Sequence, residues 1–145
     1  MNGLVRRTFR TANSVHVGIY RVSRGRLGGR VKGLPVLLVT VAGRKTGTPH
    51  TVPCVYLEDG GSWIVSGSAG GMAQEPQWFR NLRATDRAIV EVGGVRTDVT
   101  VTVADGETRD ELWSRLVSVA PFFDGYQRKV ERVIPVAVLA PDSGT

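Results

Sequence analysis

From Val95 to Val103 the chain alternates: Val95, Thr97, Val99, Val101 and Val103 share one parity, and Arg96, Asp98, Thr100 and Thr102 the other. A period of two scatters side chains around a helix but segregates them on a strand, so this segment reads as a strand with one face buried. Gly93-Gly94 comes just before it, and Ala88 to Val92 before that. Two glycines tolerate positive φ at both central positions of a two-residue turn, so the whole reads as a β-hairpin. A chain with such a hairpin has a sheet face to cover, and the rest of the sequence has to supply the cover.

Most of the remaining chain is strand-like. Leu34 to Val41 is a continuous run of mainly Val and Leu, too short for a helix, and reads as a buried strand. Thr51 to Leu57, Ser62 to Ser66 and Ile134 to Leu139 add further strands, separated by Gly43–Pro49 and Asp59-Gly60-Gly61 turns. Two internal helices are expected. One starts near Glu75-Pro76-Gln77 and runs to about Ala84, with Trp78, Leu82 and Phe79 inward. The other spans Glu107 to Val119, with Leu112, Leu116 and Val119 on its inner stripe. Pro121 to Glu131 is aromatic and reads as one or two loose helical turns. About six antiparallel strands with helices outside predict a mainly β barrel of the split type.

Residues 4–23 read as a further helix with Val5, Phe9, Ala12, Val15, Ile19 and Val22 on one stripe. Arg6, Arg7, Arg10, Arg21 and Arg24 surround that stripe. A basic amphipathic helix suits a membrane surface, and equally a helix laid on the body of the domain. Gly25 to Gly29 ends it. The expected organisation is therefore residues 1–24 as an N-terminal helix and 25–145 as the barrel domain.

Charge is divided unevenly. Residues 1–57 hold ten Lys or Arg and no Asp or Glu, whereas the rest of the 145-residue chain is net acidic. That imbalance points to an anionic partner such as a phosphate, a membrane surface or a nucleic acid, or else to a solvated basic face. No helix-turn-helix or aromatic RNA-binding signature accompanies it, so nucleic acid is not expected. The single cysteine, Cys54, rules out an internal disulfide, and His16 and His50 show no metal-ligand spacing, so no metal site is expected. No apolar run reaches the length of a membrane span or a signal peptide. The expected setting is cytoplasmic, with peripheral contact at the inner face of the plasma membrane as an option.

Two loops carry candidate chemistry. In Gly43-Arg44-Lys45-Thr46-Gly47 two cations and a hydroxyl sit between glycines, which suits a phosphate or polyanionic tail; the Walker spacing is absent. Ser66-Gly67-Ser68-Ala69-Gly70-Gly71 leads from a strand towards a helix, and its small residues leave room for a flat ligand. Beyond it, Arg80 and Asn81 are polar enough to face a pocket, whereas Trp78 and Phe79 could equally be core. There is no nucleophile elbow, carboxylate pair or metal cluster, so any catalysis must be carried by a cofactor.

The segments Leu37–Pro49, Ser66–Gly71, Pro76–Leu82, Val90–Gly94, Pro121, Tyr126-Gln127 and Ile134-Pro135-Val136 occur in the order and spacing of the deazaflavin-dependent nitroreductase family. The chain resembles that family over about residues 25–141. The resemblance implies the split β-barrel of the FMN-binding-like oxidoreductases. It also implies binding of coenzyme F-420, an 8-hydroxy-5-deazaflavin with an anionic tail; FMN is the lesser alternative. It further implies hydride transfer to a quinone, an activated enone or a nitroaromatic acceptor.

Carried onto this sequence, the resemblance gives Arg44, Lys45 and Thr46 to the cofactor phosphate. It gives His50, Thr51, Val52, Pro53, Cys54, Val55, Ser66, Gly67, Ser68, Ala69, Gln77, Trp78, Phe79, Arg80, Asn81 and Phe123 to the deazaflavin surroundings. Ser68 and Tyr126 are the candidate hydrogen-bonding and proton-relay groups. The family's well-studied branch sets three tyrosines over the substrate, where this chain has the segment Ala120–Tyr126 with Ala120, Phe123 and Tyr126. That departure favours quinones and enones over nitroimidazoles. A carrier without a dedicated substrate, a membrane-surface module and a homodimer remain alternatives at this stage.

Overall fold

The computed structural model describes residues 3–142, with side chains described from Asn13 onward. The elements run α1 (Gly3–Ser23), β1 (Arg30–Val31), β2 (Leu34–Ala42), β3 (Pro49–Val55), β4 (Leu57–Asp59), β5 (Ser62–Ser66), α2 (Gln77–Arg83), β6 (Arg87–Val92), β7 (Val95–Val103), α3 (Gly106–Val119), α4 (Phe122–Arg128) and β8 (Val136–Pro141). The helices, the β6–β7 hairpin and the mainly antiparallel β class agree with the expectation from sequence. Gly93 and Gly94 both adopt positive φ, 57° and 91°, at the tip of that hairpin.

The described strands pair antiparallel in the order β3-β2-β6-β7-β8-β5-β4, and β1 joins the start of β2. There are eight of them rather than about six. The decisive difference lies in the expected strand Thr51–Leu57, which breaks at Tyr56. Upstream, β3 pairs with β2; downstream, β4 pairs with β5, at the other end of the order. Two residue steps span at most about 7 Å. A flat sheet of seven strands would hold those two edges about 29 Å apart at about 4.8 Å per strand. The sheet must therefore curl until its edges nearly meet. Tyr56 marks the seam, where its backbone N–H donates to the Pro35 carbonyl at 3.1 Å.

Curling creates an inside and an outside, and β2 is buried on both. Leu37, Val39 and Val41 enter the interior core with Cys54, Val65, Val90, Val99 and Leu139. Val36 and Leu38 face outward beneath α1, where they pack with Val17 and Tyr20. This is why β2 reads as an unbroken apolar run. A third cluster joins Leu112, Trp113 and Leu116 of α3 to Ala120, Phe123, Ile134 and Val136. On α3, Val119 is 54% exposed and Trp113 takes the inward place expected for it.

From Asn13 onward, helix α1 packs on the barrel through a face other than the expected apolar stripe. Tyr20 is 2% exposed, and its hydroxyl accepts from the Gly93 N–H at 2.9 Å and donates to the Glu91 carbonyl at 3.3 Å. Burial pushes its pKa up, so it remains a neutral phenol. Arg21 adds a two-bond contact to the Glu91 carboxylate at 2.7 and 3.1 Å, and His16 Nε2 lies 2.7 Å from the Gly28 carbonyl. Val15, Ile19 and Val22 of the expected stripe stay exposed, Val22 at 89%. An aromatic ring with a polar tip can bury its apolar body and still pair the hairpin's backbone groups, which valines cannot do. The side chains of Val5, Phe9, Ala12, Arg6, Arg7 and Arg10 lie outside the described residues.

Tyr20→Phe would orphan the Gly93 N–H while keeping the packing. It is expected to cost about 1 kcal/mol. Val22→Ser should stay within about 0.5 kcal/mol of the parent. Urea unfolding midpoints check both, and equal midpoints for the two variants would contradict this account of which face is inward.

Candidate cofactor and acceptor site

The cationic loop is a tight turn after β2. The Gly43 N–H donates to the Thr48 carbonyl and the Gly47 N–H to the Gly43 carbonyl, each at 2.8 Å. The Thr46 hydroxyl accepts from the Thr48 N–H at 3.2 Å, which stiffens the turn. Arg44 is clipped to α2. Asn81 Oδ1 accepts from both the Arg44 backbone N–H (3.1 Å) and Nη1 (2.8 Å), and Gln77 Oε1 accepts from Nη2 at 2.7 Å. Asn81 is 6% exposed, so its amide acts as a buried clip between loop and helix. An arginine has five N–H donors, and this clip leaves several free to face an anion. Lys45 is exposed, and Arg80 sits half-buried on α2 close by in sequence to the clip.

The loop after β5 is held from behind by Arg132, a residue that sequence reasoning missed. Its Nη2 donates to the carbonyls of Gly67 (3.1 Å), Ser68 (3.3 Å) and Met72 (3.0 Å), and Nε donates to Met72 at 3.1 Å. Burial lowers the pKa of this guanidinium, which nonetheless stays a cation at any ordinary pH. Gly67 is required by close approach: a Cβ there would lie 2.9 Å from both Phe79 Cγ and Pro135 Cγ. Gln127 secures the next layer. Its Oε1 accepts from Arg109 Nη2 (3.1 Å) and from the Ile134 N–H (3.0 Å), and its amide donates to the Arg132 carbonyl at 2.8 Å.

Between this loop, the end of β3 and helix α4 lies a pocket of about 200 Å³. Pro53, Cys54 and Val55 form one wall, and Ser66, Ser68, Ala69 and Gly70 a second. Trp78 from α2, Phe122, Phe123 and Tyr126 from α4, and Val31 and Lys32 from the β1–β2 turn complete it. Ser68 is buried, and its Oγ accepts from Ser66 Oγ at 3.2 Å. Phe122, Phe123 and Tyr126 pack as one aromatic cluster, with ring centroids 4.7 to 5.9 Å apart. Burial pushes the Cys54 thiol pKa far up, so it is a small apolar wall and no nucleophile.

The pocket thus brings together Pro53, Cys54, Val55, Ser66, Ser68, Ala69, Trp78, Phe123 and Tyr126 from the expected set. Arg44, Gln77 and Asn81 form the neighbouring hydrogen-bonded clip, with Lys45 and Thr46 on the same loop and Arg80 on the same helix, and His50 lies beside Gly43. Thr51 is tied to Thr40 through a 2.7 Å hydroxyl pair, and Val52 packs on the interior core. Phe79 is fully buried behind the loop. Ala120 departs from expectation. It is 4% exposed within the cluster under α3, so it neither opens the pocket nor offers room for a larger ring. Phe122 lines the pocket instead, because α4 starts one residue after Pro121 and turns positions 122, 123 and 126 towards it. Lys32 and Arg132 were missed because neither stands in a local pattern, and each reaches the site only through contacts distant in sequence.

A curled sheet split along a seam, with helices outside it, is the split-barrel fold of the FMN-binding-like and pyridoxamine-oxidase-like proteins. Within that class, a model of the F420H(2)-dependent quinone reductase family matches residues 12–141, and the chain belongs to this family. An F420H(2)-dependent quinone reductase of Mycobacterium tuberculosis is 34% identical over 131 residues, covering 86% of this chain and 87% of that protein. A solved F420-H2-dependent reductase is 32% identical with a TM-score of 0.66, covering 72% and 93% of the two chains. A second solved chain, a domain-swapped dimer, is 30% identical with a TM-score of 0.68 over 86% and 96%. The protein is accordingly an oxidoreductase dependent on coenzyme F-420, with a quinone as acceptor.

Gly67→Ala forces Phe79 or Pro135 to move, and overpacking of this kind costs about 1–3 kcal/mol. The urea midpoint of the variant is expected to fall accordingly. An unshifted midpoint would mean that the loop yields without strain.

Proposed function

We propose that hydride transfer to the quinone takes place in the pocket between β3, the 66–72 loop and α4, with the cofactor's anionic tail on the 43–47 loop. The observation that carries this reading is the direction of the loop's backbone. Arg132 takes the carbonyls of Gly67 and Ser68 on one side. The peptide bonds are trans, so the N–H groups of Ser68 and Ala69 point the other way, and neither has a partner among the described residues. Two free donors beside a buried serine hydroxyl suit the carbonyl oxygens of a flat deazaflavin. The residues present therefore fit this cofactor, which supplies the hydride when bound.

In this reading Arg44 and Lys45 hold the phosphate, helped by Thr46, and Arg80 stands on the deazaflavin side of α2. Gln77 and Asn81 keep Arg44 in place. His50, Thr51, Val52, Pro53, Cys54 and Val55 form the β3 side of the ring site, Ser66, Gly67, Ser68 and Ala69 its loop side, and Trp78 and Phe123 its aromatic walls, with Phe79 packed behind. Ser68 and Tyr126 face the charge that develops on the acceptor. Walls of Trp78, Phe122 and Phe123 reward stacking and burial, so quinones and activated enones are preferred over nitroaromatics. FMN is the lesser ligand. The solved relative that is a domain-swapped dimer supports a homodimer here as well.

Titration with coenzyme F-420 and with FMN, followed by turnover of the reduced deazaflavin with menadione and with a bicyclic nitroimidazole, tests the assignment. Tight deazaflavin binding and faster menadione reduction are expected. Arg44→Ala with Lys45→Ala should weaken deazaflavin binding by about 1.5–3 kcal/mol per lost charge-assisted bond. Unchanged affinity at physiological salt would reject the anchor, and faster nitroimidazole reduction would reject the selectivity.

A second proposal concerns organisation and location. We infer residues 1–24 as an appended helix on a 25–145 barrel, in a cytoplasmic protein that touches the inner face of the plasma membrane. Among the described residues no helix is long and apolar enough to cross a membrane. The exposed Val15, Ile19 and Val22, with Arg21 and Arg24 exposed beside them, favour contact with an anionic surface. Val15, Ile19 and Val22 changed together to Ser should release the protein from anionic vesicles in a flotation assay. If the parent protein does not float with such vesicles, the stripe has no lipid role.

A further inference from the structure

Lys32 occupies a conspicuous place. It sits with Gly33 in the two-residue turn between β1 and β2, at a φ of 52° that a lysine adopts only under constraint. Arg30 Nη1 braces the turn by donating to the Gly33 carbonyl at 3.0 Å. From there Lys32 Nζ reaches across 94 residues of sequence to the Tyr126 hydroxyl at 2.5 Å. It also lies 4.9 and 5.0 Å from the ring centroids of Phe122 and Tyr126. Among the described residues no other charged side chain lines the pocket.

The donor chemistry of this pair has one consistent arrangement. A lysine ammonium has three donors and no acceptor, so the phenol oxygen must accept from it. The proton on Tyr126 is then left to point elsewhere, and no protein acceptor takes it among the described residues. We propose that Lys32 is a positioning residue that sets Tyr126 as proton donor to the quinone oxygen and holds the charge this leaves behind. The proposal rests on the pocket assignment above.

The balance is simple. A quinone that takes up a hydride gains two electrons and one proton and becomes a hydroquinone monoanion. The Tyr126 O–H bond breaks, an O–H bond forms on that oxygen, and neutral hydroquinone results. The phenolate left on Tyr126 sits beside the Lys32 ammonium until solvent returns a proton. A bound acceptor displaces water from the pocket, which strengthens the pairing of the two charges.

The test compares Lys32→Met, Lys32→Arg and, as a control for nearby charge, Lys129→Met, whose Nζ lies 5.9 Å from the Tyr126 ring. The first readout is menadione turnover with reduced coenzyme F-420, split into kcat and KM. The second needs no turnover. It is quenching of tryptophan fluorescence in a Trp63→Phe, Trp113→Phe background, which leaves Trp78 of the pocket wall as the emitter, by lawsone, a hydroxynaphthoquinone that is an anion at neutral pH, against quenching by uncharged menadione, with and without oxidised coenzyme F-420.

Lys32→Met is expected to lower kcat about tenfold or more, with KM little changed, and to weaken lawsone about tenfold while sparing menadione. Lys32→Arg should recover most of both, and Lys129→Met should change neither. If Lys32→Met keeps kcat and lawsone affinity within about twofold of the parent, the proposal is overturned. It is equally overturned if Lys129→Met has the same effect as Lys32→Met. Should the parent fail to reduce menadione, the pocket assignment falls instead, and lawsone binding still decides whether Lys32 receives an anion.

Discussion

Everything in this fold follows from the passage of the chain through Tyr56. The residue before it ends a strand at one edge of the sheet, and the residue after it begins a strand at the other. With five strands between those two edge strands, only a curled sheet satisfies the connection. The curl makes the interior core, and it exposes the outer faces of β2 and β5 that α1 and α3 then cover. It also locates the pocket. Pro53, Cys54 and Val55 are the last residues before the seam, and Ser66 ends the strand that pairs with β4, so the ligand site lies where the barrel fails to close.

The site is built from backbone and small side chains, and it is kept in shape by larger polar ones that stand behind it. Arg132 gathers the carbonyls of the 66–72 loop, Asn81 clips the cationic loop to α2, and Gln127 ties α4 to α3 and to Ile134 just before β8. These residues do the ordering in advance of ligand binding. Such preorganisation fits chemistry in which a cofactor brings the reactive atom and the protein supplies position and electrostatics. It also explains why one chain carries arginines of opposite purpose: Arg44 presents charge to the outside, whereas Arg132 spends Nε and Nη2 on its own backbone.

Much of this was legible along the chain because the responsible physics is local. Alternation from Val95 to Val103, the Gly93-Gly94 turn and the apolar run from Leu34 depend on side chains a few residues apart, and the structure has these elements within a residue or two of expectation. Family resemblance marked the cationic loop, the small-residue loop and Tyr126. The misreadings share a cause. Tyr56 is a good strand residue, so nothing nearby announces that its strand changes edges. Ala120 was expected over the substrate with Phe123 and Tyr126, yet the start of α4 at Phe122 leaves it in the core. On α1 the valines make the stronger stripe, but Tyr20 faces inward because the hairpin offers its hydroxyl two backbone partners.

Sequence alone thus determined most of the strands, the turns, the division of charge and the family, since each is written in short-range pattern or in ordered motifs. Tertiary structure alone decided which edges meet, which face of α1 is inner, and which side chains converge from far apart. The contacts of Lys32 with Tyr126 and of Arg132 with Gly67 and Ser68 join residues 60 or more positions apart. A pairing of that range leaves no trace in local periodicity. It exists only once the curl of the sheet has brought the β1–β2 turn, the loop after β5 and helix α4 around one pocket.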